Sequence, residues 1–275
     1  MLHPIPEALR VRASKPEAKP AGEEDRGAAP PAKDAATIAV VRQGEGGIEA
    51  FLMRRQASMA FAAGMYVFPG GGVQQSDTLP IPWIGPGPEY FAERFACSPA
   101  AAHALVVAAA RETFEETGVL LAGPNAQSVV ADTTPFSGVR ATLEAHEASF
   151  ADFLREQGLS LRADLLGAWA HWITPEFEPR RYDTRFFVTV LPEGQRIESV
   201  SGEADRSLWV PVDEAIAYVE RGQAAMLPPT ITTCRELAAE SAASILASAT
   251  QRRIRAIMPR IVEVDGELWL DSGED

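Results

Sequence analysis

The chain holds only two cysteines in 275 residues, Cys97 and Cys234. Such a pair makes neither a disulfide framework nor a zinc pattern, and it suits free thiols in a reducing compartment. Long apolar runs are missing as well. No stretch of about 18 uninterrupted apolar residues occurs, which argues against a membrane-spanning helix. Met1 to Arg12 lacks the apolar run of a signal peptide, so a cytoplasmic location is the default expectation. Basic residues are in deficit: 25 Lys and Arg stand against 38 Asp and Glu, a net charge of −13. That balance argues against a nucleic-acid partner, because phosphate backbones are met by clustered Lys and Arg. It leaves a small phosphorylated substrate open, since carboxylates that bind divalent cations make a locally positive site. No internal repeat is visible.

What is present fits a folded protein. A hydrophobic share of 46% and a charged share of 23% supply a core of ordinary size. Residues 1–34 are rich in Ala, Pro, Glu and Lys, and this composition reads as a flexible arm that cannot offset its ordering entropy. Residues 35–275 read as one domain. Thr37 to Val41 and Ile48 to Met53 are expected strands around a Gly-rich turn. Tyr66 to Gly72 then ends in Pro69-Gly70-Gly71-Gly72, where three glycines suit a sharp turn or close approach to a ligand. Ser98 as N-cap, Pro99 at the first helical position and Gly118 as terminator frame a helix. Val119 to Leu121, Leu165 to Ile173, Arg185 to Leu191 and Ser207 to Val210 read as strands. Helices are expected within Gly138 to Gly158, over Val212 to Arg221, and from Pro229 to about Ala247. Ile261 to Leu270 reads as a hairpin around Asp265-Gly266. The class is α+β, with strands and helices in layers and a C-terminal helical extension and hairpin over about 223–275.

Arg111-Glu112-Thr113-Phe114-Glu115-Glu116-Thr117-Gly118-Val119 carries the most chemistry. At 3.6 residues per turn Glu112 and Glu116 stack on one face, with Glu115 about 60° aside and Arg111 near it. Like charges at this spacing repel. A hard divalent cation removes that repulsion, because Mg2+ takes oxygen ligands from carboxylates and substrate phosphates. By itself the cluster reads equally well as an acidic solvated face. Its flank tips the balance, since Ala104 to Ala110 is wholly apolar and marks a buried helix.

Here the sequence resembles the nudix hydrolases. Their signature runs Gly, five residues, Glu, seven residues, Arg-Glu, an apolar residue, any residue, Glu-Glu, any residue, Gly, an apolar residue. Gly71, Arg111, Glu112, Glu115, Glu116, Gly118 and Val119 match it in order. Three positions depart: Asp77 replaces the first Glu, Thr113 replaces an apolar residue, and 33 residues separate Asp77 from Arg111. The excess reads as an excursion, 78–103, between the glycine loop and the helix, inside a box spanning 71–119. With Leu52-Met53-Arg54-Arg55 and Arg180-Arg181-Tyr182-Asp183-Thr184-Arg185-Phe186-Phe187, the pattern is similar to the coenzyme A diphosphatase branch of the family. The resemblance covers about 36–220.

The resemblance implies a nudix-type α/β/α sandwich with a mixed sheet, extra helices and an insertion. It implies that Glu112, Glu115 and Glu116 hold one to three Mg2+ or Mn2+ ions, with the Gly71 carbonyl a further ligand and Arg111 orienting a glutamate. Water would then attack a diphosphate phosphorus while the ions neutralise charge. The general base in this family is often a glutamate outside the box; Glu203 is the first candidate and Asp205 the second. Arg54, Arg55, Arg180, Arg181 and Arg185 are candidates for holding phosphates. His171, among tryptophans, reads as a half-buried strand residue. The expected substrate is coenzyme A or its thioesters, with ADP-ribose, a dinucleotide or a nucleotide sugar as alternatives and a non-catalytic nucleotide-binding module as a third class. The 78–97 piece and the helix from Pro229 are candidates for shaping the pocket or a homodimer contact.

Overall fold

Along Lys33–Gln43 the side chains divide between two cores. Ala36, Ile38 and Val40 bury on one side, and Ala39 and Val41 on the other. Successive strand residues point to opposite faces, so a strand that is apolar on both must lie between two layers. The computed structural model describes residues 2–5, 29–56, 62–197 and 204–273. Its strands are β1 (Leu2–Pro4), β2 (Lys33–Gln43), β3 (Ile48–Arg55), β4 (Tyr66–Val67), β5 (Gly70–Gly72), β6 (Trp83–Ile84), β7 (Ala122–Gly123), β8 (Ser160–Arg162), β9 (Gly167–Ile173), β10 (Tyr182–Val190), β11 (Ala204–Pro211), β12 (Ala256–Ile257), β13 (Arg260–Val264) and β14 (Glu267–Asp271). Its α-helices are α1 (Pro88–Phe95), α2 (Pro99–Thr117), α3 (Ser137–Glu144), α4 (Phe150–Glu156), α5 (Val212–Glu220), α6 (Pro228–Leu237) and α7 (Ile245–Gln251).

The main sheet is mixed, in the order β11-β3-β2-β10-β9-β12. Helices α1 to α4 supply the core on one face, and α5 to α7 supply it on the other. This is the α/β/α sandwich expected. Phe95 illustrates the packing: it is fully buried and meets Phe187 edge-on at 5.1 Å between ring centroids. Truncating it to Ala is expected to cost about 3–5 kcal/mol.

One irregularity of the sheet positions the site. β3 pairs with β2 only through Ile48 to Ala50 and further along with β4 at Met53 and Arg54, while β11 pairs with it from Glu49 to Arg55. The vacated edge of β2 is taken by β5, with Ala35, Ala36 and Thr37 opposite Gly72, Gly71 and Gly70. The glycine loop is therefore a strand, wedged between the sheet and α2.

Several sequence expectations change. Within the 1–34 arm, Leu2–Pro4 pairs with β14 and Ile5 is buried, while β2 starts at Lys33; residues 6–28 lie outside the described residues. Pairing across the whole chain length overrides local composition there. Val119 to Leu121 is not a strand. The Gln195 side chain stands in for a partner strand, accepting from the Leu120 N–H at 2.9 Å and donating to its carbonyl at 2.9 Å. The helix expected over Pro229 to about Ala247 is two, α6 and α7. Ser241 and Ser244 exchange hydroxyl-to-backbone hydrogen bonds between them, which compete with helical ones. The 78–103 piece packs into the body, as its aromatic residues lead one to expect: Phe91 and Phe95 are core, and α2 begins at Pro99. The C-terminal hairpin turns where expected, with Asp265 and Gly266 both at positive φ (54° and 81°).

Candidate functional site

The site grows from the C-terminal half of α2. Ser98 caps the helix by accepting from the Ala101 N–H, Pro99 opens it, and Gly118 at φ 77° ends it. Arg140 donates to the Glu115 carbonyl at 2.7 Å, placing a cation on the last turn, where the helix dipole favours it. Thr113, fully buried where an apolar residue was expected, satisfies its hydroxyl on the Ala109 carbonyl at 2.8 Å.

Arg111 is the keystone, only 1% exposed. Its Nε and one terminal nitrogen donate to the two oxygens of Asp77 at 2.8 and 3.0 Å. The same terminal nitrogen donates to the Gly72 carbonyl at 3.1 Å, and the other donates to Glu112 at 2.8 Å and Glu115 at 3.0 Å. A guanidinium has five N–H donors, and all five have acceptors here. Burial opposes its charge, yet the hydrogen bonds to Asp77 and the charges of Glu112, Asp77 and Glu115 hold its pKa above the ordinary value. Asp77 is itself buried on a 3-10 turn, Gln75–Thr78, and accepts from the Gln74 N–H at 2.8 Å.

The glutamates are placed one by one. Glu116 accepts from the Gly70 N–H at 2.7 Å. A Cβ on Gly70, at φ +155°, would sit 2.4 Å from the Ala36 carbonyl oxygen. A Cβ on Gly71 would sit 2.3 Å from the Glu112 carboxylate. Glycine here is what lets the loop approach both β2 and the acids. Glu115 is buried, and its Oε1 has no hydrogen-bond partner among the described residues. Burial, with repulsion from Glu112, pushes its pKa up to about 7 against the pull of Arg111. Among the described residues no set of three or more His, Cys, Asp or Glu side chains already converges as a metal cage. The acids are instead turned onto Arg111 and Gly70.

A cleft of about 680 Å³ opens over these groups. Glu112, Glu115, Glu116 and Gly70 to Gly72 form one side. Trp172, Phe177, Tyr182 and Phe186 give it an aromatic wall, and Lys33, Arg55 and Arg180 give it positive charge. Of the arginines expected to hold phosphates, the structure brings Arg55 and Arg180 to the cleft. Arg54, next along β3, is not among its lining residues. Arg181 is turned to the carbonyls of Thr174 at 3.0 Å and Pro30 at 2.9 Å. Arg185 is buried in ion pairs with Asp34 (2.8 Å) and Asp183 (2.9 Å), a structural role. His171 is a buried strand residue bonded to Asp183 at 2.5 Å, which fits its sequence reading. Glu203 and the side chain of Asp205 lie outside the described residues.

Sequence reasoning missed Lys33, which it placed in the arm, and the aromatic wall, which β9, β10 and the loop between them assemble. It saw Asp77 only as a substitution. The five-residue spacing from Gly71 was the signal that Asp77 belongs to the site.

The model of the NUDT19 Nudix domain matches residues 89–237, rather more than half of the chain. The chain belongs to the nudix hydrolase family. Its match to a putative nudix hydrolase 7 of Caenorhabditis elegans is 24% identical over 180 residues, covering 66% of this chain and 52% of that protein. Its match to the acyl-coenzyme A diphosphatase NUDT19 of Homo sapiens is 27% identical over 233 residues, covering 70% and 61%. The chain thus spans about half to three-fifths of these relatives' lengths. The crystal structure of a nudix hydrolase from Alicyclobacillus acidocaldarius superposes with a TM-score of 0.64 at 28% identity, covering 79% of this chain and 96% of that one. Gly72 and Asp77 precede the matched stretch, and the structure joins them to the nudix helix through Arg111. No helix among the described residues of this nudix protein is long and apolar enough to cross a membrane.

Proposed function

We propose that this nudix protein hydrolyses a diphosphate bond in a nucleoside diphosphate derivative, using Mg2+ or Mn2+. The observation that carries the reading is the Glu115 carboxylate: buried at the edge of a cleft, beside Glu112 and Glu116, with one oxygen unpartnered. A buried carboxylate oxygen without a donor is costly unless a cation answers it. The donor set is all oxygen, which suits a hard divalent ion. Glu112, Glu115 and Glu116 would hold it, with the Gly71 carbonyl a further ligand. Bound there, the ion would activate water and neutralise phosphoryl charge.

The chain's own groups do the rest. Arg111 fixes the rotamers of Glu112 and Glu115 through hydrogen bonds whose own anchor is Asp77. The Gly70 N–H holds Glu116. Arg55 lines the cleft where it can meet a phosphate bidentately. Glu203, or Asp205, would take the proton of the attacking water. The aromatic wall offers a face for a base.

Coenzyme A or an acyl-coenzyme A is the first choice of substrate. Support comes from the family match and from relatives named acyl-coenzyme A diphosphatase. A panel of coenzyme A, ADP-ribose, a dinucleoside polyphosphate and a nucleotide sugar, each with Mg2+, tests it. Fastest turnover of coenzyme A compounds is the expected result. Tight nucleotide binding with no turnover of any would make the chain a binding module instead.

A further inference from the structure

We infer that Lys33 and Arg180 form a second anion site in the cleft, one that selects ligands carrying a phosphate monoester beyond the diphosphate. For its substrate this rests on the diphosphatase reading above; its binding chemistry stands apart from it.

Lys33, at the start of β2, and Arg180, in the loop just before β10, line the same cleft. Lys33, Ala35 and Thr37 on β2 line the cleft, as do Tyr182, Thr184 and Phe186 on β10. The parallel register pairs Lys33 with Tyr182, and the Lys33 N–H donates to the Arg181 carbonyl at 2.9 Å. Arg180 lies two residues before Tyr182 and lines the same cleft. Neither Lys33 nor Arg180 makes an ion pair or side-chain hydrogen bond among the described residues. Arg181 and Arg185, close by in sequence, are both committed to protein acceptors. Both side chains are exposed in the cleft, so an anion from outside can reach them.

The spacing suits a nucleoside. Gly71 stands opposite Ala36, three residues along β2 from Lys33, which is about 10 Å at roughly 3.3 Å per residue. Tyr182 lies beside Lys33, and Trp172 stands opposite Thr184, one step further along the same face. A diphosphate at the glutamates, a base on these rings and a sugar phosphate at Lys33 and Arg180 fit that order. Arg180 offers a planar fork to phosphate oxygens and Lys33 a point charge.

The test is calorimetric binding of adenosine 3′,5′-bisphosphate and of AMP to the full chain, beside turnover of coenzyme A and 3′-dephospho-coenzyme A. The variants are Lys33→Met, Arg180→Met and the double, each checked for fold by circular dichroism. The wild type is expected to bind the bisphosphate about tenfold more tightly than AMP, as charge-assisted contacts allow. The double variant is expected to bring that ratio near one, and the coenzyme A to dephospho-coenzyme A ratio of kcat/KM should fall with it. Equal binding of both nucleotides, binding of neither, or a preference that survives in the double variant overturns the site. Loss of preference in binding without turnover of either substrate would uphold the anion site and sink the diphosphatase reading. Turnover with an unmoved ratio would do the reverse.

Discussion

Arg111 grips Asp77 with two parallel hydrogen bonds, of 2.8 and 3.0 Å, across 34 residues of chain. Both side chains are buried, so the pair ties the glycine loop to α2 and fixes the hand that holds the glutamates. Removing one partner of a buried pair leaves an uncompensated charge. Asp77→Ala is expected to lower stability by about 3–5 kcal/mol, read as a urea midpoint shift at constant m-value. A loss below about 1 kcal/mol would show that Glu112 and Glu115 alone satisfy Arg111.

Two neighbouring glycines should fail differently. Gly70→Ala drives a methyl into the backbone of Ala36 and Thr37, so the fold should lose more than about 1 kcal/mol. Gly71→Ala meets only the movable end of Glu112. Its melting temperature should stay near wild type while turnover of coenzyme A collapses. Equal thermal losses in the two variants would refute the distinction.

Arg185 gives a third contrast. The sequence offered it as a phosphate ligand, and the structure commits it to Asp34 and Asp183. Arg185→Ala is therefore expected to cost at least about 2 kcal/mol of stability. In steady-state kinetics it should leave KM little changed. A large KM rise with unaltered stability would restore the binding role.

Much of this was legible in the residues. Ser98, Pro99 and Gly118 framed α2 correctly because caps are local chemistry, and the ordered spacing of Arg111, Glu112, Glu115 and Glu116 marked the candidate site. The Asp77–Arg111 fork, the pairing of Leu2–Pro4 with β14 and the placing of Lys33 were not legible. Each depends on a partner far along the chain, and no local period encodes such partners. The break between α6 and α7 was missed for a smaller reason: Ser241 and Ser244 are tolerated in helices, and their competing hydrogen bonds decided the matter.

His3 predicts a pH effect at the edge of the cleft. Burial lowers its pKa to about 4, with Arg235 and the N-terminal amine adding to that and Asp271 opposing it. Its ring lies edge-on to Trp172 at 6.4 Å, and Trp172 lines the cleft. A base with a depressed folded pKa contributes stability that is full above the unfolded value of 6.5 and lost as pH falls through about 4. Amide exchange at Leu270 and Asp271, corrected for intrinsic rates, should therefore speed up from pH 6.5 down to 4. His3→Phe should flatten that response. An unchanged response in the variant would place the titrating group elsewhere.

The proposed reaction puts a metal-dependent diphosphate site on α2. The most direct measurement follows coenzyme A by phosphorus NMR with Mg2+, for the wild type and for Glu116→Gln, whose fold is checked by circular dichroism. Wild type is expected to convert the diphosphate to two phosphomonoesters, while the variant, folded as before, produces none. Near-normal hydrolysis by Glu116→Gln would contradict it.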